Sequence, residues 1–326
     1  MRAAAVLLVA LPFVAGAVAT AADVGPDAEE AARFADPAIT ESSGLAVLGE
    51  GWVTVNDSGD GARIFVVDPA TGETVRTVTY AETAVDVEAL SPEGDDVVWV
   101  GDIGDNFARR EHVSLYRVPL DGSPVSRLDV RYDDGPRDAE TLVRDPATGS
   151  LWILTKGVLG GAAYRVPDSG EGVRVAERAG DVPALLTDGS FTASGDAVLA
   201  RNYTRGFRIE WPSLEVTATL ALPRQEQGES LGIEPGGDVL IGSEGAAAPV
   251  LRLPAQAWDA SRSTPGTPSP STEVSPPARE TPTSTADGGS GGPSAWGWWA
   301  IAAGAVGAVG LGAAWWVRGR PRRDDK

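Results

Sequence analysis

The sequence predicts an all-β ectodomain folded as a β-propeller, with five blades as the reading and six as the alternative. Three observations lead there. First, a short apolar run recurs: Trp52-Val53-Thr54-Val55, Val97-Val98-Trp99-Val100, Leu151-Trp152-Ile153-Leu154, Ala197-Val198-Leu199-Ala200 and Val239-Leu240-Ile241. Such runs between turn residues are buried strands. Second, a companion pattern follows each run, and its last four copies carry Arg117, Arg165, Arg208 and Arg252, spaced by 48, 43 and 44 residues. Third, a polar cluster precedes each run, as in Asp86-Val87-Glu88-Ala89-Leu90 and Asp138-Ala139-Glu140-Thr141-Leu142. About four strands per repeat of roughly 40–45 residues is the pattern of a propeller.

The elements follow in chain order. Residues 1–22 form an export signal: Arg2 supplies the positive start, Ala3–Val18 the apolar run, and Ala17-Val18-Ala19 a small-residue cleavage pattern. Residues 23–37 are an N-terminal segment that can lend the last blade its missing strand. Closing the ring in that way leaves no open sheet edge. Residues 38–259 are the propeller. Residues 260–295 are rich in Pro, Ser, Thr and Gly and poor in apolar side chains. They cannot bury a core and should form an extended stalk. Residues 296–317 contain no charged side chain. As a helix they span roughly 33 Å at 1.5 Å per residue, enough for a bilayer core. Trp296, Trp298 and Trp299 mark one interface and Trp315 and Trp316 the other. Residues 318–326 begin Arg318-Gly319-Arg320-Pro321-Arg322-Arg323. Positive charge stays inside, so the expected topology is a single-pass plasma-membrane protein with its N-terminal ectodomain outside and its C-terminus in the cytoplasm. The one expected membrane contact is the C-terminal helix.

The chain has no cysteine, one histidine and a formal net charge of −19. Disulfides therefore do not hold the exported domain, and its stability must come from burial. The acidic surface repels nucleic acid, so no nucleic-acid partner is expected. His112 is the lone histidine, which argues against a Ser–His–Asp triad and a His-rich zinc site.

Antiparallel strands alternate direction, so the loops of a propeller divide between two faces. One face carries plain tight turns such as Asp68-Pro69-Ala70-Thr71-Gly72 and Asp145-Pro146-Ala147-Thr148-Gly149. The other collects Asn56-Asp57-Ser58-Gly59-Asp60, Gly101-Asp102-Ile103-Gly104-Asp105-Asn106, Thr155-Lys156-Gly157, Arg201-Asn202-Tyr203 and Ser243-Glu244-Gly245. Turn formation alone explains any one of these loops; their concentration on one face points to a ligand. The candidate binding face is Glu41, Asn56, Asp57, Asp86, Glu88, Asp138, Lys156, Arg201, Tyr203, Glu229 and Glu244. Carboxylates and an amide are hard oxygen ligands that suit Ca²⁺, and Asp60, Asp102, Asp105, Asn106 and Glu140 are the candidate ligands. Neither acidic loop matches an EF-hand.

From Glu41 to Pro119 the sequence resembles secreted or membrane-anchored bacterial β-propellers of high-GC Gram-positive type, loosely near the esterase-like phytase and WD40-like groups. The motifs that carry the resemblance are Ser42-Ser43-Gly44-Leu45, Asn56-Asp57-Ser58-Gly59-Asp60, Asp86-Val87-Glu88-Ala89-Leu90 and Gly101-Asp102-Ile103-Gly104-Asp105-Asn106. The resemblance implies a propeller and transfers no reaction. Two functions are therefore expected to compete. One is a cell-surface binding or interaction module for an extracellular ligand or protein, with bound Ca²⁺. The other is a Ca²⁺-dependent extracellular hydrolase acting on an ester, lactone or phosphate.

Overall fold

The computed structural model describes residues 27–49 and 51–260. The expected export signal, membrane span and tail lie outside the described residues, as does the stalk beyond its first residue. No helix among the described residues is long and apolar enough to cross a membrane.

In chain order, β1 (Glu29–Arg33) is followed by four units of four strands and one of three. The first unit is β2 (Ser42–Leu48), β3 (Gly51–Asn56), β4 (Arg63–Val67) and β5 (Thr74–Thr79). The second is β6 (Val87–Glu93), β7 (Val97–Asp102), β8 (Val113–Pro119) and β9 (Ser126–Tyr132). The third is β10 (Ala139–Arg144), β11 (Leu151–Thr155), β12 (Gly161–Arg165) and β13 (Arg174–Val182). The fourth is β14 (Asp188–Phe191), β15 (Ala197–Arg201), β16 (Arg205–Glu210) and β17 (Val216–Ala221). The fifth is β18 (Gly228–Ile233), β19 (Val239–Ser243) and β20 (Pro249–Leu253), to which β1 adds as an antiparallel fourth strand. Each unit is an antiparallel meander, and its first strand is the innermost.

The units close on themselves. β2 lies against β6, β6 against β10, β10 against β14, β14 against β18, and β18 against β2. The core is divided in the same way, into five apolar clusters between successive sheets. One joins Val53, Val55 and Ile64 to Leu90, Val98 and Val100. The cluster that joins the last sheet to the first contains Phe34, Ile39, Leu45, Trp52, Phe65, Leu240 and Val250. Each fully buried side chain of this size contributes about 1.5–3 kcal/mol, so the repeated apolar run fixes the strands and sets the spacing between sheets.

Two features depart from a plain repeat. β13 is nine residues long and pairs in parallel with β9, zipping the outer edges of the second and third units together. After β20 the chain forms a short helix, α1 (Ala255–Ala260), which buries Trp258. The indole covers Gly206, where an added Cβ would sit 2.4 Å from the ring. A glycine is therefore required there by close approach.

Candidate functional site

The inner strands present side chains to the axis through one repeated device. In β2 the pairing with β3 slips between Ser42 and Gly44, and in β6 the pairing with β7 slips between Val87 and Ala89. β10 slips between Ala139 and Thr141, and β18 between Gly228 and Leu231. Each slip is a β-bulge, which re-aims the extra residue. The extra residues are Ser43, Glu88, Glu140 and, in a two-residue version, Glu229-Ser230. Ser43 Oγ reaches across to the next unit and donates to Glu88 Oε2 at 2.8 Å.

A second device braces the loops. The residue at the end of the second strand accepts backbone N–H groups from the segment that approaches the first strand. Asn56 Oδ1 accepts from Thr40 and Glu41, and Asp102 accepts from Val85 and Asp86. Ser243 Oγ accepts from Gln227. The chain beyond the second strand then donates back: Asp57 N to Glu41 O, Gly104 N to Asp86 O, Lys156 N to Asp138 O and Glu244 N to Gln227 O. The bulges and these braces gather Asp57, Asp86, Glu88, Asp138, Glu140, Lys156, Glu229 and Glu244 at one mouth.

The electrostatics show how crowded that mouth is. Burial raises the Glu88 carboxyl well above its usual range, and the charges of Glu140, Asp57 and Asp86 raise it further. Burial, with Asp57 and Asp138, pushes Asp86 up to about 6. Burial, with Glu229, Asp57 and Glu41, pushes Glu244 up to about 7. Asp138 and Glu229 are raised chiefly by burial. Lys156 forms an ion pair with Glu140 and lies 5.1 Å from the centre of the Tyr203 ring. Burial opposes its charge, but Glu140 holds its pKa above the usual lysine range.

Asp57, Asp86 and Glu88 each place a carboxylate oxygen within 4.8 Å of the other two. Gly104 passes directly over them, with an added Cβ only 2.5 Å from the Asp86 carboxyl. Oxygen donors this close are what a hard cation needs. The four loop residues expected from sequence to ligate Ca²⁺ are placed differently. Asp60 accepts from Arg63 and Asn56 within its own loop. Asp102 is buried, braces Val85 and Asp86, and forms an ion pair with Arg110 at 2.8 Å. Asp105 accepts from the backbone of Arg109 and Arg110, and Asn106 is exposed. Short Asp side chains next to glycine fold back on the local backbone, which takes their oxygens out of the mouth. Glu140 lines the mouth but is held by Lys156.

Of the other candidates, Asn56 is a brace and Glu41 is exposed on the rim. Arg201 is fully buried between the fourth and fifth units and donates to Gln225, Ser230 O and Gly242 O. Ser43 is not among the residues the sequence offers, whereas Asp188, which leads the fourth inner strand, is one of the acidic residues the sequence places toward the axis. Asp188 is fully buried and accepts from the backbone of Gly189, Leu231 and Leu45. Those partners span three units, so Asp188 ties three inner strands together beside the acidic pit. The sequence signal was present: Ser43 and Asp188 occupy the position at which the other repeats carry glutamate, or stand one residue from it.

No protein-family model matches the chain, and no curated protein does. Several solved structures are similar at low identity, and they are β-propeller-like proteins. A glutaminyl cyclase from Myxococcus xanthus is 13% identical with a TM-score of 0.47, covering 69% of this chain and 94% of that one. A putative oxidoreductase (glucose dehydrogenase) from Thermus thermophilus is 12% identical with a TM-score of 0.41, covering 71% and 100%. A chain of a nidogen/laminin complex is 13% identical with a TM-score of 0.43, covering 64% and 74%. Likeness at this level transfers no activity.

Proposed function

We propose that the five units are the blades of a five-bladed propeller, and that this propeller is a cell-surface binding module whose acidic pit takes a cation. The carrying observation is the Asp57–Asp86–Glu88 group, three carboxylates with oxygens within 4.8 Å of one another. Like charges at that distance repel, and burial makes the repulsion stronger. A bound cation relieves it. Ca²⁺ fits the donors, because it accepts several carboxylate oxygens in flexible geometry, whereas Mg²⁺ demands a tighter octahedron. The extracellular location proposed from the ends of the chain suits such a site, since Ca²⁺ is abundant outside cells.

The test is a melting curve of the full chain in detergent. A cation that binds only the folded state adds about 2.7 kcal/mol at 100 times its dissociation constant. That is roughly 5–10 °C for a domain of this size, at about 2–4 °C per kcal/mol. Millimolar Ca²⁺ should give such a rise and Mg²⁺ a smaller one. An unchanged curve rejects the metal. The second reading, a Ca²⁺-dependent hydrolase, is favoured by Glu244, whose carboxyl burial and acidic neighbours push up to about 7, a range that suits acid–base work at neutral pH. Turnover of ester, lactone or phosphate substrates that disappears with Glu244→Gln while the Ca²⁺-dependent melting shift persists would establish it.

A further inference from the structure

A groove of about 640 Å³ opens outward from the pit over the third unit. Asp138 and Lys156 stand at its inner end, and Tyr164 at its floor. One bank is the 133–138 connection with Ala108, and the other is the 156–161 loop with Leu159. The groove's outer charges are neutralised locally, Arg137 by Asp134 and Arg178 by Asp181. Free negative charge is therefore concentrated at the pit end.

Exposed apolar side chains stand on the banks and beside them: Leu159 lines the groove, and Val158 and Phe107 adjoin lining residues, with the Arg109 guanidinium 5.1 Å from the centre of the Phe107 ring. Leu159 is 101% exposed and Phe107 is 66% exposed. Among the described residues these are the exposed large hydrophobics other than valine, and Val85 and Val158 join them on the same face. Folding does not require them there, and each exposed apolar side chain carries a solvation cost. An apolar bank beside an acidic pit selects a partner with the opposite arrangement.

We propose that this groove seats an extended segment of a partner protein, with a lysine or arginine directed into the pit and neighbouring apolar side chains against Leu159, Val158 and Phe107. The occupant follows from charge complementarity: the pit's carboxyls, Asp57, Asp86, Glu88, Asp138, Glu229 and Glu244, outnumber its cations, since Lys156 is paired with Glu140 and Arg201 is fully buried, donating to Gln225 and backbone carbonyls. The inference rests on the pit as a cation site and adds the class of partner. A long basic side chain also buries its alkyl stem, which suits the apolar bank.

The experiment pans the full chain, in detergent micelles, against a phage-displayed random dodecapeptide library. Recovered peptides are then measured by fluorescence anisotropy. The expected peptides carry a lysine or arginine beside a large apolar residue. Leu159→Asp should weaken them roughly tenfold or more, on the scale of one lost leucine-sized contact. Leu159 touches solvent on all sides, so the melting temperature should not move. Failure to enrich any peptide overturns the proposal. So does enrichment of peptides without a basic residue, or affinity indifferent to both Leu159→Asp and Val158→Asp. A dimer in sedimentation that Leu159→Asp disperses would also overturn it, in favour of a second copy of this chain. Peptide binding without a Ca²⁺-dependent melting shift would keep the groove and reject the metal.

Discussion

The fourth unit differs from the other four at the axis, and the difference separates folding from function. Units one, two, three and five each bulge the inner strand and brace the approach segment from beyond the second strand. The fourth has no bulge: Asp188 to Phe191 pair in continuous register with Arg201 to Val198. Its brace is reversed too, Thr187 N donating to Arg201 O. Yet its strands, sheet and apolar contacts match the others. A blade therefore folds without the bulged residue. The glutamates in three units are additions to the repeat, whereas the fourth contributes the carboxylate that ties the ring.

This contrast is broken most severely at Asp188. Its carboxylate satisfies backbone N–H groups of three units. Asp188→Ala orphans all three, at about 1–3 kcal/mol each. Urea unfolding should show a loss of at least about 3 kcal/mol, and Asp188→Asn, which keeps one acceptor oxygen, a smaller one. If Asp188→Ala leaves the midpoint unchanged, the tie does not exist. Next in size is Glu140→Ala. It removes the ion-pair partner of Lys156, and breaking a buried pair that leaves its charge stranded costs about 3–5 kcal/mol, of which Asp138 and Glu229, whose charges also act on Lys156, offset part. Lys156 retains some contact with water, so the lower end is expected. Adding Lys156→Met should restore most of the loss; failure to do so would show that Glu140 matters for something other than this pair.

The all-β repeat was legible because the apolar runs recur with turn residues between them. Trp52 and its counterparts are buried or half-buried for that reason. The parallel β9–β13 seam was not legible, since outer strands carry no strong period and pairing between units leaves no local trace. Within the site, the shared face of Asp57, Asp86, Glu88, Asp138, Lys156 and Glu244 follows from alternating strand direction, which sequence order determines. Which oxygens converge does not follow. That depends on the bulge at Glu88 and on Asp60, Asp102 and Asp105 turning back to Arg63, to Val85 and Asp86, and to Arg109. Both are matters of a few ångströms that residue type alone does not set. Phe107 and Leu159 were hidden for another reason: an apolar residue in a sequence says nothing of its exposure.

A smaller effect distinguishes the pit from the tight-turn face through pH. Asp86 and Glu244 have folded-state pKa values of about 6 and 7, against ordinary values of 3.8 and 4.5. A carboxyl whose pKa is raised on folding holds its proton more tightly in the native state. The resulting stability is fully present below pH 4 and is lost as pH rises through about 6 to 7. Without divalent cations, the melting temperature should therefore fall between about pH 4 and pH 7 by a few degrees and level off above that, at about 2–4 °C per kcal/mol. Asp86→Asn should flatten part of that slope. Asp121, an acidic residue on the opposite face, is shifted the other way by its hydrogen bonds to Ser123, so Asp121→Asn should not flatten it. A slope unchanged by Asp86→Asn would remove the pit as its source.

The smallest expected change in stability is at Glu88, and it is the most informative about function. Burial and its acidic neighbours raise the Glu88 carboxyl well above the usual range, so in the absence of a cation its protonated form is favoured. Gln resembles that protonated form in size, and its carbonyl oxygen can accept from Ser43 as the carboxyl does. Glu88→Gln should then shift stability by no more than about 0.5 kcal/mol in chelator, as for a substitution that breaks no partner. Ca²⁺ requires the ionised oxygen, because a bound cation must displace the proton before it is coordinated. The same substitution should therefore abolish most of the Ca²⁺-dependent rise in melting temperature. A large destabilisation in chelator would mean that Glu88 is charged and holds the fold. A full Ca²⁺ response with Gln in place would move the cation away from Asp57, Asp86 and Glu88.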